Sequence, residues 1–138
     1  MKSKIYCKLK LQSTSNKTPK FIINVNGINQ NYSQEDNFII VNNFFSIGDH
    51  ILTIKFINKT PNDTVVDENG TIIEDLAIEV LEFFIDDIDF SSNIKEHGKY
   101  YVNETNEKTY GFMYANGTFE YKFQTPGFLF LRNINLIK

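Results

Sequence analysis

Two short runs decide the fold: Leu52-Thr53-Ile54-Lys55-Phe56 and Leu76-Ala77-Ile78-Glu79-Val80. In the first, Leu52, Ile54 and Phe56 share one face and Thr53 and Lys55 the other. In the second, Leu76, Ile78 and Val80 line a face while Glu79 points away. A period of two belongs to a strand with one face buried. Between the runs, Asn58 to Asp75 is polar and holds Asp63, Asp67, Glu68, Asn69, Glu74 and Asp75. Two core strands thus present an oxygen-rich loop.

The same alternation extends outward. Lys2 to Leu11 puts Ile5, Cys7, Leu9 and Leu11 on one face and Lys4, Tyr6, Lys8 and Lys10 on the other. This is a strand with a basic solvent face, and lysines on such a face also guard an edge strand. Gln12 to Lys20 reads as a loop. Phe21 to Val25 is a strand closed by Asn26-Gly27, a strong hairpin signal. Phe38 to Val41 is another strand, and Gly48-Asp49 turns the chain into the strand after His50. Asp86-Asp87 interrupts an apolar run as a turn. Ser91 to Lys99 reads as a loop with at most one helical turn. Tyr100 to Val102 and Thr109 to Tyr114 are expected to pair as a hairpin around Asn103 to Lys108, and Asn116-Gly117 to make a tight turn. Phe119, Tyr121 and Phe123 then share a face. Pro126-Gly127 breaks the chain before a last apolar segment, Phe128 to Ile137. No ten-residue segment shows a clear 3.6 period. Short strands with turn signals between them point to an all-β sandwich or barrel, and of the two a single antiparallel β-sandwich domain over residues 1–138 is expected.

A chain of 138 residues is long enough for a real core, and 41% hydrophobic content marks it as folded. The net charge of −3 gives no electrostatic argument for nucleic acid or for an acidic membrane surface. No apolar run approaches the length of a membrane helix. The first residues alternate Lys with apolar side chains, so no signal peptide is expected and the chain is made in a cytoplasm. With one cysteine, Cys7, there is no internal disulfide and no Cys-rich zinc site.

No catalytic constellation is legible: there is no Gly-x-Ser-x-Gly and no Gly-rich phosphate loop. An enzyme is not expected. His50 and His97 lie far apart, and His50 at a strand start packs or caps. Cys7, on an apolar face, is a buried thiol. Asp86, Asp87 and Asp89 are either an acid pair for glycoside cleavage or a solvated turn. The acidic loop has two readings. Asp67-Glu68-Asn69-Gly70-Thr71-Ile72 resembles the middle of a calcium loop, whose alternating oxygens suit a hard cation. It also has the composition of a hairpin turn. The metal reading takes Asp63, Asp67, Asn69 and Asp75 as ligands of calcium. Lys59 offers an alternative, an ammonium that pairs with Asp63 or Asp75 in place of a metal.

One stretch carries a family likeness. Gly48, His50, Leu52, Ile54, Phe56 and Asn58 at alternate positions, then Asp75-Leu76, Ile78 and Val80, then Ile85-Asp86-Asp87-Ile88, resemble the calcium-dependent xylan-binding carbohydrate-binding modules. The chain resembles small proteins of marine tailed bacteriophages more closely, through Asn58-Lys59-Thr60, Asp63-Thr64 and Asp67-Glu68-Asn69-Gly70. The likeness spans roughly residues 44 to 90. It departs from the xylan-binding pattern at Lys59, where those modules carry Asp, and at Leu76-Ala77, where they carry Arg-Asn. The resemblance implies a jelly-roll-like sandwich. It further implies a non-enzymatic structural or interaction protein of a phage particle, decorating the head or associated with the tail. Its partners would be other virion proteins in a multi-subunit assembly, and its location the virion. The alternative it implies is a calcium-dependent carbohydrate-binding module that recognises polysaccharide.

Overall fold

A computed structural model describes residues 1–136. The strands are β1 (Lys2–Gln12), β2 (Phe21–Val25), β3 (Ile28–Asn29), β4 (Ser33–Glu35), β5 (Phe38–Ser46) and β6 (Gly48–Phe56). A 3-10 turn, Pro61–Asp63, leads to β7 (Val65–Val66), β8 (Ile72–Glu74), β9 (Ala77–Ile85) and β10 (Ile88–Asp89). Helix α1 (Ser91–His97) precedes β11 (Lys99–Val102), β12 (Thr105–Glu107), β13 (Phe112–Met113) and β14 (Gly117–Thr125), and α2 (Gly127–Leu136) follows. Strands account for 54% of the chain and helix for 14%, which makes it an all-β protein.

The strands form two packed antiparallel sheets and a small ribbon. One sheet runs β10-β9-β1-β5-β4, with β13 also on β9; the other runs β12-β11-β14-β6-β2-β3; β7 and β8 pair with each other. Strands β1, β2, β5, β6 and β9 alternate between the two sheets in chain order. The two runs that decide the fold, in β6 and β9, therefore face each other across the core and do not pair. Their inward side chains meet: Leu52, Ile54, Phe56, Leu76, Ile78 and Val80 are all at most 2% exposed. Ile5, Cys7, Leu9 and Leu11 of β1 and Phe119, Tyr121 and Phe123 of β14 complete the same cluster.

A register shift after Lys8 pairs it with Glu82 and Leu9 with Val80, which leaves Leu81 as a bulge in β9. Such an extra residue resets the pleat. Ile78 and Val80 point inward before it, Phe83 and Ile85 after it. An apolar run that breaks the period of two can thus still serve one face.

The structure corrects five expectations. Strand β1 is central, bonded to β5 on one side and β9 on the other, so its lysines cover a sheet face and guard no edge. The hairpin after α1 is shorter than expected: β11 turns at Asn103-Glu104 into β12. The chain then crosses, and Phe112 and Met113 pair with β9 of the other sheet. Asn116-Gly117 is no hairpin turn but the entry to β14. Gly117 is required by close approach, since a Cβ there would meet the Tyr101 carbonyl oxygen. The segment from Gly127 to Leu136 is a helix of ten residues. Its Phe130 and Ile134, one turn apart, face the body while Phe128 is exposed. Ile137, the end of the predicted segment, lies outside the described residues. Helix α1 extends the single turn expected after Ser91, burying Ile94.

The predicted turns at Asn26-Gly27 and Asp86-Asp87 are present. Val25 pairs with Ile28 across the first, and Asp86 and Asp87 both take positive φ in the second, which Asp tolerates better than most residues.

Candidate functional site

The acidic loop from Ile57 to Leu76 carries the chain from one sheet to the other. Its two ends are locked by one ion pair. Lys59 Nζ lies 2.6 Å from Asp75 Oδ1, with both side chains 11% exposed. The same carboxylate accepts Thr64 Oγ1 at 2.8 Å and the Leu76 N–H at 2.9 Å. Lys59 also donates to the Tyr114 carbonyl oxygen. Burial pushes the Asp75 carboxyl up, but the hydrogen bonds from Lys59 and Thr64 and the ammonium charge outweigh it and hold the group below the usual carboxylate range.

Asp63 has its own lysine. Lys17 Nζ stands 2.9 Å from Asp63 Oδ2. The carboxylate also accepts the Thr60 N–H at 2.7 Å, within the capping box of the 3-10 turn. The Lys17 hydrogen bond and then that of Thr60 hold Asp63 below its ordinary range. Further bonds fasten the loop to its neighbours. Asn58 Oδ1 accepts the Lys20 N–H at 2.7 Å, and Asn58 Nδ2 donates to the Thr18 carbonyl oxygen. Asn116 and the Lys59 backbone exchange two bonds, 2.7 and 2.9 Å. The Ser15 N–H donates to Glu74 Oε1 at 2.9 Å.

Asp67 closes the tip. Its Oδ1 accepts the Asn69 and Thr71 N–H groups, each at 2.9 Å. The Asp67 N–H bonds the Thr71 carbonyl oxygen, and Gly70 sits at φ 82. The resemblance to a calcium loop is therefore matched by a side-chain-capped hairpin joining β7 to β8. Of the four candidate ligands, Asp63 and Asp75 answer lysines, and Asp67 answers backbone of its own turn. Asn69 enters this set only as the N–H that Asp67 holds. Among the described residues no three His, Cys, Asp or Glu side chains are grouped to hold a metal ion. Arranged in this way the set does not fit calcium, which would have to displace two ammonium groups.

Beside its exposed polar tip, Glu68 to Thr71, the loop displays apolar side chains. Val66 is 54% exposed, Ile72 57% and Ile73 61%, and Ile57 at the loop's start is exposed as well. Scattered exposed apolar residues are ordinary. Three on one short ribbon, fixed to the body by charged and amide contacts, form a small presented surface. The doublets Val65-Val66 and Ile72-Ile73 were the sequence signal for it. They break alternation beside a turn: Val66 of the first and both residues of the second have no core to face.

Of the remaining candidates, His50, Cys7, Asp86 and Asp89 have structural work. His50 is buried between Phe45 and Phe123, at ring distances of 5.7 and 5.2 Å. Asn26 Oδ1 accepts the Ile51 N–H, which turns Asn26 Nδ2 towards His50 Nδ1 at 2.9 Å. Nδ1 is then the acceptor, and Nε2–H donates to the Ser46 carbonyl oxygen at 2.9 Å. Cys7 is buried, and burial pushes its thiol up to about 12, an inert group. Asp86 accepts Ser3 Oγ at 2.8 Å and the N–H groups of Lys4 and Gly127, tying the β9–β10 turn to β1 and α2. Asp89 accepts the Ser91 N–H at the start of α1.

No family model matches the chain, and no curated protein and no solved structure matches it. No helix among the described residues is long and apolar enough to cross a membrane.

Proposed function

We propose that the chain is a non-enzymatic structural or interaction protein of a bacteriophage particle, on the head or associated with the tail, built on a sandwich like that of the carbohydrate-binding modules. The observation that carries this reading is the loop between β6 and β9. Asp63, Asp67, Glu74 and Asp75 are spent on fastening or closing it, and its ribbon turns Val66, Ile72 and Ile73 to solvent. A fastened ribbon with exposed apolar flanks suits docking onto another protein, since an ordered element loses little freedom on binding. The phage assignment rests on the sequence likeness over residues 44 to 90. The carbohydrate-binding alternative needs a loop that ligates calcium, and here Lys17 and Lys59 hold two of the required carboxylates.

Incorporation of a Val66→Lys, Ile72→Lys variant into particles tests the role of the ribbon. Loss from the particle with an unchanged melting temperature supports it. Incorporation equal to that of the unaltered chain removes the ribbon from the contact.

A further inference from the structure

Strand β11 covers one edge of β14 only as far as the pair Lys99 and Glu120. Beyond Glu120 the two helices take over that edge, and they do not fill it. A cleft of about 370 Å³ opens among α1, β14 and α2, at the small end of ligand pockets, which run to roughly 300–1,000 Å³.

The cleft has an apolar floor and a charged rim. Tyr121, Phe130 and Ile134 supply the floor, with the Tyr121 and Phe130 rings edge to face at 6.3 Å. The Tyr121 hydroxyl donates to Asn93 Oδ1 at 2.5 Å. Burial pushes this phenol up, so it stays a neutral donor. An asparagine that accepts through Oδ1 keeps both N–H donors of its Nδ2. On the rim stand His97, Lys99, Glu120 and Lys122. Among the described residues neither lysine lies within ion-pair distance of Glu120. Two ammonium groups against one carboxylate leave the mouth positive in a chain of net charge −3.

From this geometry we infer that the cleft between α1 and α2 binds a small organic anion with a ring-sized apolar body. The body lies on Tyr121, Phe130 and Ile134, and the anionic head meets Lys99 and Lys122, with Asn93 as a further donor. Apolar burial supplies affinity and the charge-assisted contact sets orientation. This site is separate from the ribbon and holds whether or not the chain belongs to a particle.

The probe is 1-anilinonaphthalene-8-sulfonate, titrated by fluorescence and by amide chemical shifts, beside N-phenyl-1-naphthylamine, the same ring system without the sulfonate. The expected result is saturable one-site binding of the sulfonate, with shifts centred on Asn93, His97 and Tyr121. The uncharged compound should bind about ten-fold more weakly, the low end for a charge-assisted contact. Lys99→Gln with Lys122→Gln should bring the sulfonate to the same level. Ile134→Trp, which fills the floor, should abolish binding of both. Folding of each variant is checked by its melting temperature, and the lysine pair, being on the rim, remains informative if the tryptophan does not fold. Equal affinity for the two compounds, shifts centred elsewhere, or no saturable binding would overturn the inference.

Discussion

Lys59 and Asp75, sixteen residues apart, meet at the two ends of the crossing loop with Nζ and Oδ1 at 2.6 Å. This pair decides what the loop is. It closes the segment between the sheets into a fastened element and occupies the carboxylate that a metal reading would use. Removing the ammonium leaves a largely buried carboxylate unpaired. We predict that Lys59→Met costs about 2 kcal/mol in urea unfolding, and that Asp75→Asn in the same chain recovers part of the loss. A coupling below about 0.5 kcal/mol, within ordinary additivity error, would contradict the role given to the pair.

Acid should loosen the crossing loop and the β9–β10 turn together. Asp63, Asp75, Asp86 and Asp89 all have folded-state values lowered from the ordinary 3.8. A depressed carboxyl stabilises the fold above its unfolded value and loses that contribution as pH falls through the folded one. Melting temperature should therefore hold as pH drops towards 3.8 and decline below it. Asp75→Asn should flatten that decline. A protein equally stable well below this range would show that these carboxylates are not held as described.

Calcium should do nothing to stability. A ligand bound only by the native state raises the melting temperature by mass action, and here the candidate carboxylates are already engaged. We expect superimposable melting curves in calcium and in chelator. Asp67→Ala should cost about 1 kcal/mol through its two lost N–H partners, equally in both conditions. A calcium-dependent rise in melting temperature that Asp67→Ala abolishes would restore the metal.

Phe56 is 1% exposed and pairs in register with Phe21 of β2 and Gly117 of β14. Phe56→Ala should cost on the order of 3–5 kcal/mol, the range for a buried aromatic in a packed core. Denaturant unfolding checks this, and a loss below about 1 kcal/mol would place Phe56 outside the core.

Alternation made the faces of β1, β6 and β14 legible, because a side chain's side of the sheet follows from local sequence alone. It did not reveal which strand lies beside which. Lys4, Lys8 and Lys10 look the same on an edge strand and on the outer face of a central one. Likewise Thr109 to Tyr114 looks like the return of a hairpin and instead crosses to β9. Helix α2 escaped because apolar residues occur on both its covered and its open side, with Phe130 inward and Phe128 outward, so no single stripe stands out. In the loop, the acidic residues are legible in the sequence, and so is Lys59 as a partner for Asp63 or Asp75. Lys17 is not, since it sits 46 positions from Asp63 and a distant pair has no local signature.

The central claim, that the chain is a working part of a phage particle, is met most directly by quantitative mass spectrometry of density-banded particles from the culture in which the chain is made. The account predicts the chain in the particle band at a fixed copy number that survives a high-salt wash. A chain confined to the soluble fraction and retained on polysaccharide only when calcium is present would contradict it.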